Sequence, residues 1–223
     1  IAGGSGYTGG ELLRLLLFHP NIEVAQVTSE ANVGKFVYKI HPNLRKSTQL
    51  KFSSINELEK CDLLFLCLPH GSSMNRIDEF KNIAERIIDL SGDFRLKDKE
   101  EFKKWYHHEH SNPEMLNEFV YGIPELHRDE MKHATLISSA GCNATTSILA
   151  LYPLYKEGLI EEDKTVIEVK VGSSEGGNKF SESSHHPERS GSVRSYMPVQ
   201  HRHTAEIIQE LSFGKKIEVH FSA

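Results

Sequence analysis

The chain has 223 residues, 38% of them hydrophobic, which is enough for a core in one large domain or two small ones; its formal net charge of -5 comes with no long run of like charge. That balance supplies no basic field, so nucleic acid is not an expected partner. The longest apolar stretches, LLRLLLF and LLFLCLP, fall far short of a membrane span, no secretory signal pattern opens the chain, and three scattered cysteines make no disulfide framework, so a cytoplasmic protein with reduced thiols is expected.

Only Ile1 and Ala2 precede the opening glycines, and the chain stops after the strand-like run KKIEVHFSA, so native sequence is expected beyond both ends. After the glycines, Leu12 and Leu16, and Leu13 and Leu17, recur at i,i+4 spacing up to Pro20 and predict an amphipathic helix. IEVAQVTS (22–29) predicts a β-branched strand. CDLLFLCLPHG (61–71) predicts a strand buried on both faces of a parallel sheet, and RIIDLSGDF (86–94) repeats it across a helical crossover, SSMNRIDEFKNIAE. Alternating strands and helices of this kind make a doubly wound α/β sheet. The charged region from Lys97 to His110 predicts a surface helix.

ATLISSAGC (134–142) predicts another strand and NATTSILALYPLYKEG a helix, after which the character turns to β from TVIEVKVGSS (165–174). The stretch SSEGGNKFSESSHHPERSGS (173–192) is rich in Ser and Gly, and a flexible linker is only the bland alternative for such a composition.

Gly4, Ser5, Gly6, Tyr7, Thr8 and Gly9 satisfy G-x-G-x-x-G between a strand remnant and a helix, the context in which absent side chains let the backbone approach a pyrophosphate at a helix N-terminus. A site specific for NAD would carry an acidic residue at the end of the second strand. Here that strand ends in Thr28 and Ser29, with Glu30 one step later and Lys35 close by, which leaves room for a 2′-phosphate and points to NADP(H). His70 and Gly71 follow the buried strand, at the sheet edge where open α/β proteins bind ligands.

Cys142 ends a strand and opens a helix, where the N-terminus stabilises a thiolate and backbone N–H groups can serve an oxyanion. Cys61 and Cys67, in or beside an apolar strand, read as small buried hydrophobes. A cysteine nucleophile generally needs an imidazole, and HRHTAEI (201–207) offers His201 and His203 among 13 histidines. His185, His186, His201, His203 and Cys142 are also zinc ligand types, but no spacing matches a structural zinc pattern, and no metal is expected.

GGSGYTGGELLRLL, LPHG, IDLSGDFRLKD, YGIPEL, AGCNATTSILALYPL and HRHTAEI, in that order over nearly the whole chain, resemble the N-acetyl-γ-glutamyl-phosphate reductase family. The resemblance implies an NADP-binding Rossmann domain, 1–141, joined to an α+β catalytic domain, 142–223, of the aspartate-semialdehyde and glyceraldehyde-phosphate dehydrogenase type. It also implies Cys142 as nucleophile and a proton-handling histidine within HRHTAEI, with His203 favoured over His201. Arginine-pathway members usually carry Tyr-Pro after the nucleophile, whereas Asn143 and Ala144 stand here. GCNAT and SESSHHPERSGSVRSY are similar instead to the branch acting on 2-aminoadipate or glutamate phosphate linked to a small acidic amino-group carrier protein of the LysW type, in lysine and arginine biosynthesis. That branch implies NADPH-dependent reduction of an acyl phosphate to a semialdehyde with release of phosphate, in a homodimer or homotetramer. Asn143, Ser174, Arg189, Arg194 and Arg202 are then the expected substrate contacts, with Lys179 as a further basic grip. The rival readings are the reductase of free N-acetyl-glutamyl phosphate and a non-catalytic dinucleotide sensor.

Overall fold

The computed structural model describes residues 1–160, 165–179, 181–182 and 184–223. The helices in chain order are α1 (Tyr7–Leu16), α2 (Val37–Ile40), α3 (Ile77–Lys81), α4 (Lys99–Tyr106), α5 (Pro124–His133), α6 (Cys142–Lys156), α7 (His186–Arg189) and α8 (His203–Leu211). The strands are β1 (Val27–Thr28), β2 (Phe52–Ser53), β3 (Cys61–Leu66), β4 (Ala84–Asp89), β5 (Val120–Gly122), β6 (Leu136–Ser139), β7 (Thr165–Glu168) and β8 (Val219–Ser222). They divide into two compact units, Ile1–Ser91 with Thr135–Ile137, and Gly92–Ala134 with Ser138–Ala223. Among the described residues no helix is long and apolar enough to cross a membrane.

The first unit is a parallel sheet with its opening segment inserted. β1 pairs with β2 and β3 with β4, both parallel. Ala2 bridges the gap: its N–H donates to Phe65 at 2.8 Å, its carbonyl accepts from Cys67 at 2.8 Å, and the Ile1 carbonyl accepts from Thr28 at 2.9 Å. β6 begins beside β4, where the Ile87 N–H donates to the Thr135 carbonyl at 2.8 Å. α1 buries Leu13 and Leu16, and Leu13 joins Val27, Val37, Leu44 and Phe52 in one apolar cluster.

Three expectations need correction in this unit. The strand expected over 22–29 is reduced to Val27–Thr28, because the Gln26 side chain takes over the pairing by donating to Ser53 and the Glu57 carbonyl. The crossover helix shrinks to α3, since the Asn75 amide bonds the Gly71 carbonyl and Ser73 bonds Asp89, turn chemistry that competes with helix. β3 buries Leu64 and Leu66 fully but leaves Cys61, Leu63 and Phe65 half-buried, so its two faces are not equivalent. Cys61 and Cys67 are correspondingly half-buried, and burial pushes the Cys67 thiol up to about 12.

In the second unit α6 packs against α8 over a cluster that includes Tyr121, Ile123, Ala144, Ile148, Ile207, Leu211 and Phe221. α6 tolerates its polar start because Thr145, Thr146 and Ser147 each donate to the carbonyl four residues back. β7 and β8 form a parallel pair with Thr165 opposite Val219. The Lys97–His110 region is not simply a surface helix: Asp98 caps α4 by accepting from Glu100 and Glu101, while Phe102 is fully buried and stacks on Tyr106. Among its described residues the Ser/Gly-rich stretch 173–192 holds a 3-10 turn at Ser173–Gly176 and α7, while Phe180 and Ser183 lie outside the described residues.

Candidate active site

The glycines of the first unit are required by what surrounds them. A Cβ on Gly4 would lie 2.1 Å from the Val27 side chain, and one on Gly9 would lie 2.6 Å from the Gly4 Cα, so the helix can approach the strand only through glycine. Gly6 differs. A Cβ there meets nothing within 4 Å, and Gly6 caps α1 without offering a side-chain acceptor to the first-turn N–H groups. Open space in front of uncapped N–H groups is what a pyrophosphate needs, so the residues present fit a dinucleotide. Tyr7 and Thr8, in the first turn of α1, are exposed.

Beside this loop the Ser29 hydroxyl donates to Ser5 at 2.8 Å, Asn32 donates to Ser29 at 3.2 Å, and Lys35 donates to Asn32 at 3.1 Å. Glu30 is turned elsewhere: its carboxylate accepts from the Ser54 hydroxyl and, at 2.6 Å, from the Ile55 N–H. His70 is exposed and Gly71 has φ +84 in the loop after β3. Local sequence marks neither His41 nor Asp89. His41 donates to the Gly4 carbonyl at 2.8 Å with its ring against Gly10, and fully buried Asp89 accepts from Ser73 and Ser91.

In the second unit Cys142 is exposed at the first position of α6, after Gly141. A Cβ on Gly141 would come within 2.4 Å of His203 Nε2 and 2.8 Å of Glu206 Oε1. The imidazole and the carboxylate are therefore pressed onto the peptide that precedes the thiol. Glu206 is the residue that sequence reasoning missed. Fully buried, it accepts from the Gly141 N–H at 2.9 Å and the Tyr121 hydroxyl at 2.7 Å, and it faces Arg95 at 3.5 Å and His203 Nε2 at 3.8 Å. Its one sequence signal is its position one turn after His203 on a helix, where i and i+3 side chains meet. Burial, and next the Glu206 charge, raise the Tyr121 phenol well above its usual range, so it stays a donor.

The two histidines of HRHTAEI differ in their bonding. His201 Nδ1 accepts the His203 N–H at 3.2 Å, so its ring proton sits on Nε2, 3.1 Å from the Tyr196 hydroxyl. Burial, helped by the Arg202 charge, lowers His201 to about 4. His201 is thus a neutral cap on α8, whereas His203 stands at Gly141.

Of the expected substrate contacts, Asn143 is buried and donates to Glu175 at 2.9 Å, and Ser174 lies in the same turn as Glu175. Arg189 and Arg194 donate to the Val171 and Glu188 carbonyls and line a cavity of about 540 Å³ with His185 and Tyr196. Arg202 precedes α8, half-buried, and Lys179 is exposed. Among the described residues no group of three His, Cys, Asp or Glu is arranged to hold a metal ion.

Residues 1–134 match the NAD binding domain of semialdehyde dehydrogenase, and residues 142–223 match the semialdehyde dehydrogenase dimerisation domain. The chain is 52% identical over 223 residues to the [LysW]-L-2-aminoadipate 6-phosphate reductase of Deinococcus radiodurans. It is 50% identical over 225 residues to the [LysW]-L-2-aminoadipate/[LysW]-L-glutamate phosphate reductase of Saccharolobus solfataricus. Each alignment covers 100% of this chain and 64% of the relative, so the chain spans less than two thirds of their length. Among solved structures, aspartate semialdehyde dehydrogenase II of Vibrio cholerae, complexed with ASA, is similar in fold, with a TM-score of 0.67 at 12% identity over 99% of this chain and 67% of that one. The fold is the Rossmann plus α+β architecture of that enzyme class, and the chain belongs to the semialdehyde dehydrogenase family.

Proposed function

We propose that the protein reduces an acyl phosphate carried on a small acidic amino-group carrier protein, the 6-phosphate of 2-aminoadipate or the 5-phosphate of glutamate, to the semialdehyde, with release of phosphate. The observation that carries this reading is the exposed Cys142 at the head of α6, with His203 Nε2 and Glu206 pressed against Gly141 beside it. The names of the two half-identical relatives support the substrate class.

The Cys142 Sγ attacks the acyl carbon; the C–S bond forms as the C–O bond to phosphate breaks, leaving a thioester. A bound nicotinamide cofactor supplies the hydride that this carbon requires. His203 Nε2 gives a proton to the carbonyl oxygen and takes one back as the C–S bond breaks and the aldehyde leaves. Glu206 holds both the imidazole and the Gly141 N–H in place from a fully buried position.

Glu30 being engaged at Ser54 and Ile55, with Ser29, Asn32 and Lys35 lined up instead, supports NADP(H) over NAD(H). Arg189 and Arg194 on the cavity supply grips for phosphate or for the acidic carrier, in a cytoplasmic homo-oligomer with no nucleic-acid partner.

The test is incubation of the full-length protein with NADPH or NADH and each acyl phosphate, free and carrier-linked, following the reduced-nicotinamide absorbance. Carrier-linked substrate and NADPH are expected to give the fastest oxidation. Faster turnover of free N-acetyl-glutamyl phosphate overturns the carrier assignment, a preference for NADH overturns the cofactor assignment, and no oxidation with any substrate overturns the reaction. Electrostatic docking further requires the KM for carrier-linked substrate to rise with salt.

A further inference from the structure

A second polar chain runs through the second unit and is used by none of the steps above. Asn143, the residue after Cys142, donates from Nδ2 to Glu175 Oε1 at 2.9 Å. The same oxygen accepts from the Tyr196 hydroxyl at 3.2 Å. Tyr196 in turn lies 3.1 Å from His201 Nε2, and His201 Nδ1 accepts the first N–H of α8 at 3.2 Å. Every direction along this chain is fixed. The carboxylate can only accept, so the phenol donates to it and accepts from His201, which leaves Nδ1 free of its proton to cap His203. Burial, and next the Glu175 charge, push the Tyr196 phenol up to about 12, which keeps that donor protonated.

The chain begins at the helix start carrying Cys142 and ends at the helix start carrying His203. Tyr196, in the middle of this chain of bonds, also lines the cavity shared with Arg189 and Arg194. A contact made in that cavity is therefore one hydrogen bond from the cap of α8.

We propose that Glu175 and Tyr196 are positioning residues: by accepting from Asn143 and anchoring His201, they hold the first turns of α6 and α8 in the register that Cys142 and His203 need. This rests on the reading of Cys142 and His203 as the reacting pair. It also divides the two histidines, with His203 moving the proton and His201 fixing where His203 sits.

The test uses the full-length protein carrying Glu175→Gln, Glu175→Ala or Tyr196→Phe, read by turnover and by ¹⁵N NMR of the imidazoles. In the unaltered protein His201 is expected in the Nε2–H tautomer. Glu175→Ala and Tyr196→Phe should lower kcat by about 10- to 100-fold, the size of a small misplacement, and disturb that tautomer. Glu175→Gln keeps an acceptor oxygen and should stay within about threefold of the parent. Three results overturn the proposal: His201 protonated on Nδ1 in the parent, Glu175→Ala unchanged in both readouts, or Glu175→Gln as damaged as Glu175→Ala. If the parent turns over no acyl phosphate, the reaction assignment fails, while the NMR arm still decides whether the chain sets the His201 tautomer.

Discussion

The glycine loop of the first unit and the thiol site of the second are made of different material. The loop is built from backbone: Gly4 and Gly9 are dictated by contacts of 2.1 and 2.6 Å that any side chain would meet, and what remains at Gly6 is open space in front of N–H groups. The thiol site is built from side chains brought in from afar. Glu206 lies 65 residues from the Gly141 N–H it holds, and 85 from Tyr121. A backbone site tolerates little change in its own letters and asks little of distant ones. A side-chain site spreads its requirements over several segments, so its variants should fail by degrees.

The largest expected effect separates the two regions outright. Cys142→Ser should lose about 10⁴-fold or more in turnover, as removal of a nucleophile does. NADPH binding, followed by fluorescence titration, should stay within about twofold, because the contacts that dictate Gly4 and Gly9 are made within the first unit. A parallel loss of NADPH affinity would mean that the two regions are not chemically separable.

Next in size is Glu206→Gln. Its amide can still accept from Gly141 and Tyr121, but Arg95 loses its buried counter-charge, at a cost of about 3 kcal/mol in denaturant unfolding. Turnover should drop about 100-fold, since the carboxylate beside His203 Nε2 is gone. An unchanged kcat with the stability loss alone would reduce Glu206 to a structural role.

The glycine loop offers a contrast within itself. Gly9→Ala forces a methyl against the Gly4 Cα and should destabilise the protein by about 2 kcal/mol. Gly6→Ala enters open space and should cost less, about 1 kcal/mol, because alanine is a poorer N-cap than glycine. If a pyrophosphate occupies that space, Gly6→Ala should still weaken NADPH binding about tenfold. Equal affinity for NADPH in Gly6→Ala and the parent would place the phosphates elsewhere.

The same difference in material decides how much of each region is legible in the sequence. G-x-G-x-x-G is six consecutive letters whose meaning is local, and Leu12 with Leu16, and Leu13 with Leu17, announce α1 by spacing. Cys142 was legible because strand and helix signals meet at one residue. Glu206 and Tyr121 were not, since a buried carboxylate and its phenol are distinguished from surface residues only by packing. His41 escaped for the same reason: its ring bears on Gly10, 31 letters earlier. The short segment β5 with α5 lacked a periodic signal long enough to be counted, and its helix starts at Pro124 without a side-chain cap. The Ser/Gly-rich composition of 173–192 concealed Glu175, because composition is blind to the bond that Asn143 makes across 32 positions.

The smallest expected effect compares two histidines within the side-chain-built unit. His127, at a kink in α5, bonds Glu210 at 2.6 Å and Glu130 at 3.1 Å. Burial by itself would lower its pKa, but the two carboxylates outweigh burial and raise it. The folded state therefore holds the His127 proton more tightly than the unfolded chain does. That contribution is fully present below the ordinary histidine pKa of 6.5 and is lost as pH rises through the raised folded value. His201 has the opposite sign. With a folded pKa of about 4 against 6.5 unfolded, it costs stability as pH falls from 6.5 toward 4. Unfolding curves across that range should show the gap between His127→Ala and the parent at full size below pH 6.5 and shrinking above it. In Tyr196→Phe, by contrast, the acid-side loss caused by His201 should persist, because burial is the larger cause of its low pKa. A gap for His127→Ala that widens with rising pH would mean that the imidazole is held neutral, and that the bonds to Glu210 and Glu130 are not between charges.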